Sequence, residues 1–252
     1  MRRILRGAAI PVAILLLWES GSRAGLLPMD TLSRPSDVAA AFAHALADGS
    51  IPLATWQTVQ AALLGFAIAA ATGVLAGVIL GLSPVLERTV GPSIEALRPV
   101  PAVALTPLTL LLFGFGLRME AAIVAFACVW PVLLVTVAAV RGIEPRLLEV
   151  AQALRLSFPS RLRKIILPAA LGRVLVGLRV ALSISLIVAV TVEIVMNPRG
   201  LGYGMIVASQ SLKPDLMYAQ LLWLGFLGWG LNAMLTRVFG RWHGAFGPGV
   251  QP

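Results

Sequence analysis

The chain has 252 residues, 58% hydrophobic and 12% charged, with a mean hydropathy of +0.90; this lies outside the mix of water-soluble domains, so its main solvent is lipid. Twenty Lys and Arg against 11 Asp and Glu give a net charge of +9, which in a soluble protein would suggest nucleic acid. Here the charges mark the gaps between apolar runs, and that class is excluded.

Crossing a hydrocarbon core of about 30 Å as helix takes roughly 20 residues; six membrane segments are counted in chain order, five of them of about that length or longer. The first is the shortest: Gly7 to Trp18 is a run of 12 uncharged residues after Arg2, Arg3 and Arg6. Glu19 and Arg23 follow with no small-x-small cleavage site, which favours a retained helix over a cleaved signal peptide. In the outer connection from Gly25 to Ile51, Pro35-Ser36-Asp37 reads as a helix start. Val38, Phe42, Ala45 and Leu46 then share one face, which predicts a short amphipathic helix on the outer membrane surface.

Between Asp48 and Glu87 lie 38 uncharged residues, the second span, in which Gly65, Gly73, Gly77 and Gly81 recur at spacings of eight, four and four. Small residues at that spacing let helix backbones approach closely in lipid. The third span, Pro99 to Leu117, opens on Arg98-Pro99-Val100-Pro101, contains Pro107 and closes on Gly114-Phe115-Gly116. Prolines free backbone groups that lipid cannot satisfy, so this span should face protein or a solute pathway. The fourth, Ala121 to Val140, carries Trp130-Pro131 and the single cysteine, Cys128, which reads as packing and allows neither an internal disulfide nor a cysteine metal cluster.

Val180 to Pro198 is the fifth span, interrupted only by Glu193, and Leu216 to Thr236 is the sixth. Gly200-Leu-Gly-Tyr-Gly between them lacks the glycine spacing of a nucleotide site and reads as a turn. Thr106, Thr109, Ser183, Ser185 and Thr191 are candidate lining residues of a solute pathway, since hydroxyls offer weak polar contacts without holding a solute tightly. Glu193 is the acid well inside a span and is a functional candidate by default. A bare carboxylate would repel an anionic solute, which favours a structural role for it.

Placing the N-terminus in the cytoplasm puts 15 of the 20 basic residues on the inner side and leaves Arg23, Arg34, Arg118, Arg199 and Lys213 outside. By the positive-inside rule both termini and the segment at about 141–179 should be cytoplasmic. That segment holds eight basic residues, and two short helical patterns flank a break at Ser157-Phe158-Pro159, which predicts a protruding elbow on one transmembrane domain spanning 1–252.

Within the elbow Glu149 and Ala151, then Ile165, Leu167 and Pro168, stand at the spacing of the cytoplasmic EAA loop of ABC importer permeases. Val150 and Arg155 depart from it, Arg155 standing where the pattern has Gly. With Arg98-Pro99-Val100-Pro101 and Glu193 followed by Gly200-Leu201-Gly202-Tyr203, the chain resembles permeases of the nitrate, sulfonate and taurine type.

The resemblance implies an all-α, type I importer permease in the bacterial inner membrane, moving a small anionic solute through a pathway between two permeases, commonly two copies of one chain. It implies a cytoplasmic ATPase docking on Glu149, Ala151, Leu154, Arg155, Ser157, Ile165, Leu167 and Pro168, and a periplasmic or lipid-anchored substrate-binding protein that confers selectivity. No Gly-x-x-x-x-Gly-Lys-Ser/Thr occurs in this chain, so ATP and Mg would be bound, and ATP hydrolysed, by the partner. The rival classes are a secondary transporter, which would usually show two related halves, and an integral membrane enzyme, which would cluster acids or histidines at one membrane face. Neither pattern is present in the sequence.

Overall fold

The computed structural model describes residues 2–25 and 32–243, in which every regular element is helical. In chain order these are α1 (Arg2–Arg23), α2 (Pro35–Ala47), α3 (Ser50–Leu82), α4 (Pro84–Leu97), a 3-10 turn (Ala102–Leu105), α5 (Thr106–Phe113) and α6 (Leu117–Arg141). Then follow α7 (Pro145–Ala153), α8 (Phe158–Arg161), a π-helical turn (Leu162–Ile166), α9 (Leu167–Val195), α10 (Gly200–Gln210) and α11 (Pro214–His243).

The length and composition needed to cross a membrane are met by α3, α6 and the helical run Phe158–Val195, and by α4 with Ala102–Phe113 if that bent pair is one span. At 22 and 30 residues, α1 and α11 are long enough too. Polar residues such as Glu19 and Arg23, or Gln220 and Asn232, dilute their apolar character. The chain is an all-α integral membrane protein whose helices can carry the six expected spans.

The third span departs from expectation. It is not continuous from Pro99 to Leu117, because α4 ends at Leu97 and the helix resuming at Ala102 is bent 84° from it. Pro99 and Pro101 have no N–H to donate and bias their preceding residues away from α geometry. Pro101 is extended (φ −63°, ψ 115°), and Pro107 falls in the first turn of α5, where a missing N–H costs nothing. A left-handed Gly114 (φ +69°) ends it. By contrast, α6 runs unbroken through Pro131.

Two compact units divide the described chain. In the first, which joins residues up to Thr58 with Glu193–Leu227, the Glu19 carboxylate of α1 accepts from the Ser36 N–H (3.1 Å) and hydroxyl (3.0 Å), closing the start of α2. Val38 and Ala45 of α2 are buried and the Phe42 ring lies 5.5 Å from that of Trp223 on α11. The expected surface helix is therefore covered by protein along its apolar face, and Leu46, expected on that face, is exposed.

The second unit holds Val59–Val192 and α11 from Gly228 onward. Its seam follows the glycine stripe: Gly65, Gly73, Gly77 and Gly81 of α3 lie against Val124, Val132, Thr136 and Val140 of α6, with no room for a side chain. At the end of α6, Ala139 and Val140 form one cluster with Ile143 just beyond it, Ile166 of the π-helical turn, and Ala170 and Val174 of α9. Cys128 is buried and its thiol donates to the Ala181 carbonyl (3.2 Å), a packing role.

Candidate functional site

The elbow is built from turn chemistry. Beyond α7, Leu154 caps the helix and Arg155 takes a left-handed conformation (φ +49°). The Leu156 N–H donates to the Ala151 carbonyl (3.1 Å) and the Arg155 N–H to that of Gln152 (2.9 Å). These are the paired bonds of a Schellman cap. The turn that glycine would make is therefore made by Arg155, which bears the steric cost of its β-carbon.

Ser157 then turns extended (ψ 154°), α8 starts at Phe158 with Pro159 in its first turn, and the Ser157 hydroxyl bonds that of Ser160 (3.1 Å). Through Leu162–Ile166 the backbone adopts π geometry and closes at Leu167 on the Leu162 carbonyl. Pro168 accounts for the bulge: its ring clashes with the carbonyl four residues back and it donates no hydrogen bond, so the preceding turn widens.

Ala151 and Ile166 are buried, while Leu148 and Leu162 pack against the α6–α9 cluster. The opposite face exposes Glu149, Val150, Leu154 (65%), Arg155, Ser157 and Phe158 (63%). Of the sequence-predicted coupling residues, Glu149, Leu154, Arg155, Ser157, Leu167 and Pro168 are thus at the surface, Ile165 is half-buried and Ala151 is structural. The elbow thus presents large apolar side chains at the surface beside charged and polar ones.

The pathway candidates separate into two groups. Thr106, Thr109 and Ser185 are buried in this chain, and their hydroxyls donate back to the carbonyls of Val103 (2.5 Å), Thr106 (3.0 Å) and Leu182 (2.8 Å). In this chain each hydroxyl is satisfied by an intrahelical bond inside packed protein. Ser183 is exposed and Thr191 half-buried on α9.

Glu193 is 1% exposed and serves as a helix cap. Its Oε1 accepts from the Thr58 hydroxyl (2.7 Å) and its Oε2 from the Gly202 N–H (2.8 Å). Thr58 Oγ1 accepts from the Leu201 N–H (2.9 Å), and Gln57 Oε1 from the Gly200 N–H (2.9 Å). Three first-turn N–H groups of α10, which helix geometry leaves without partners, are so satisfied inside the first unit.

Gly200-Leu-Gly-Tyr-Gly is consequently the opening of a helix rather than a free turn. Gly200 (φ +86°) is the residue type that fits, because a β-carbon there would run into the Glu193 carboxylate. Sequence reasoning passed over Gln57 and Thr58; the available signal was a polar pair inside a 38-residue uncharged run.

Residues 73–243 match the family described as "binding-protein-dependent transport system inner membrane component". The putative aliphatic sulfonates transport permease protein SsuC of Escherichia coli is 31% identical over 244 residues, covering 94% of this chain and 91% of that protein. The SsuC protein of Bacillus subtilis is 28% identical over 96% of this chain and 89% of its own length. The taurine transport system permease protein TauC of Escherichia coli is 31% identical over 78% of this chain and 74% of its own length.

Among solved structures, a chain of the MetNI methionine ABC transporter in an inward-facing conformation superposes with a TM-score of 0.63 at 20% identity, covering 73% of this chain and 91% of that one. A chain of an amino acid ABC transporter with histidines gives 0.57 at 17% identity, over 75% and 90%. The likeness at that identity shows a shared fold.

Proposed function

Because the chain belongs to the family of inner-membrane components of binding-protein-dependent transport systems, we propose that it is the permease of an ATP-driven importer for a small anionic solute of the sulfonate or taurine kind. Its relatives carry those solutes in their names. A separate cytoplasmic ATPase docks on the elbow, a soluble binding protein delivers the solute, and a second permease copy completes the pathway.

The observation that carries this reading is the Schellman-capped elbow, which holds Leu154 and Phe158 out in water on a base anchored by Ile166 and Ala151. Buried apolar anchors are what a docking contact needs at its centre, and the rigid base lets force applied at Leu154 reach α9 without being absorbed in the turn. Glu149, Arg155 and Ser157 supply the polar rim. The pathway runs between two copies beside the α9 face that carries Ser183, Ile187 and Thr191. Its sparse hydroxyls leave selectivity to the delivery protein. Glu193 contributes by capping α10.

The test is co-purification and reconstitution. The permease should pull down an ATPase, and solute-loaded binding protein should stimulate ATP hydrolysis in proteoliposomes. A permease that transports solute with no ATPase present would be a secondary transporter instead.

A further inference from the structure

Arginine is concentrated in one cavity that the transport reading does not use. At the foot of the elbow, within the second unit, a cavity of about 510 Å³ is lined by Arg88 on α4, Arg141 at the end of α6 and Arg161 on α8. Glu87, the carboxylate lining it, pairs with Arg141. Two guanidinium charges are left in excess, and the Nε of Arg161 is buried without a hydrogen-bond partner among the described residues. A buried donor left unmet is costly, so this site has an unfilled demand for an acceptor. Guanidinium forks match phosphate oxygens in geometry as well as charge.

The rest of the wall is apolar, contributed by Leu82, Val140, Ile143, Leu148 and Ile166. A free inorganic anion would leave that wall and most of the volume unused. A phosphate carrying hydrocarbon would fill both. Basic pockets between membrane helices on the cytoplasmic side are where anionic headgroups bind. The cytoplasmic placement rests on the orientation read from the charge asymmetry.

We propose that this cavity seats an anionic phospholipid of the inner leaflet. The phosphate lies among Arg88, Arg141 and Arg161, and the upper acyl methylenes lie against Leu82, Ile143 and Leu148. Since Arg161 belongs to α8 and Leu148 to α7, the bound lipid braces both arms of the elbow. Coupling between permease and ATPase then depends on leaflet composition.

The experiment uses the purified, delipidated full-length permease in neutral detergent, without an ATPase, so that it does not depend on the docking reading. Binding of phosphatidylglycerol, phosphatidylcholine and inorganic phosphate is read by native mass spectrometry and thermal unfolding. Phosphatidylglycerol should bind and raise the unfolding temperature, with phosphatidylcholine at least tenfold weaker and phosphate without effect at millimolar concentration. The Arg88→Gln/Arg161→Gln double variant should lose at least tenfold of the phosphatidylglycerol affinity, whereas Arg118→Gln, at the opposite end of α6 from Arg141, should keep it. Equal binding by the double variant, equal binding of the two lipids, or displacement of lipid by inorganic phosphate would each overturn the proposal. Should the double variant not fold, Arg161→Lys, which keeps the charge and loses the fork, serves in its place. Undiminished binding there together with no preference between lipids would overturn it as well.

Discussion

A methyl group added to α3 at Gly77 would lie 2.5 Å from the Thr136 Cβ, 2.8 Å from its Cγ2 and 2.9 Å from the Leu133 carbonyl oxygen. At Gly65 it would lie 2.5 Å from the Val124 Cβ and 2.7 Å from the Ala121 oxygen. Non-bonded carbons rest about 3.5–4.0 Å apart, so each methyl requires roughly 1 Å of extra separation. Neither neighbour can swing away, since β-branched side chains in a helix have restricted χ1 and the Thr136 hydroxyl is held on the Val132 carbonyl (2.7 Å).

The helices must part instead, and overpacking of that kind costs about 1–3 kcal/mol. Gly65→Ala and Gly77→Ala should each lower stability by that amount. The double variant should cost less than their sum, because one separation of α3 from α6 accommodates both methyls. Gly230→Ala on α11, where an added β-carbon meets nothing within 4 Å, should cost nothing. The assay is reversible SDS unfolding of the detergent-solubilised permease followed by tryptophan fluorescence. Wild-type stability in both α3 variants, or an equal loss at Gly230, would refute the close-packed seam.

Further outcomes are expected at the two sites. Arg155→Gly removes a β-carbon from a left-handed position (φ +49°) and should stabilise the elbow by about 1 kcal/mol, seen as slower amide exchange at Leu156; faster exchange would contradict it. Glu193→Ala leaves the Gly202 N–H buried without its acceptor and should cost about 1–3 kcal/mol in the same SDS assay, with Glu193→Gln costing less. Leu154→Asp and Ser157→Arg should abolish substrate-stimulated ATP hydrolysis in the reconstituted complex while membrane insertion persists, and normal stimulation in both would remove the elbow from the docking surface. In a Cys128→Ser background, Ser183→Cys should react with a water-soluble thiol reagent and Ser185→Cys should stay inert, as its position is 0% exposed; the reverse pattern would place the pathway on the other face of α9.

Local sequence was enough to determine that this chain lives in lipid, where its long apolar helices run, and that an elbow protrudes between α6 and α9. Hydrocarbon thickness, charge and helix rise act over consecutive residues, so runs such as 121–140 show them directly. The glycine stripe was legible for the same reason, since spacings of four and eight put Gly65, Gly73, Gly77 and Gly81 on one helix face. Turn chemistry at Pro99 and Pro101 announced a break, but the 84° bend depends on what each arm packs against.

The partners of Glu193 required the fold. Thr58 stands 135 residues away in sequence, and charge repulsion favoured a structural role for this carboxylate without showing that the α10 N-terminus is what it serves. The same holds for the hydroxyls. Ser183 and Ser185 are alike in sequence, and packing around α9 buries one and exposes the other, because burial is a property of which helix lies opposite and consecutive residues carry no record of that.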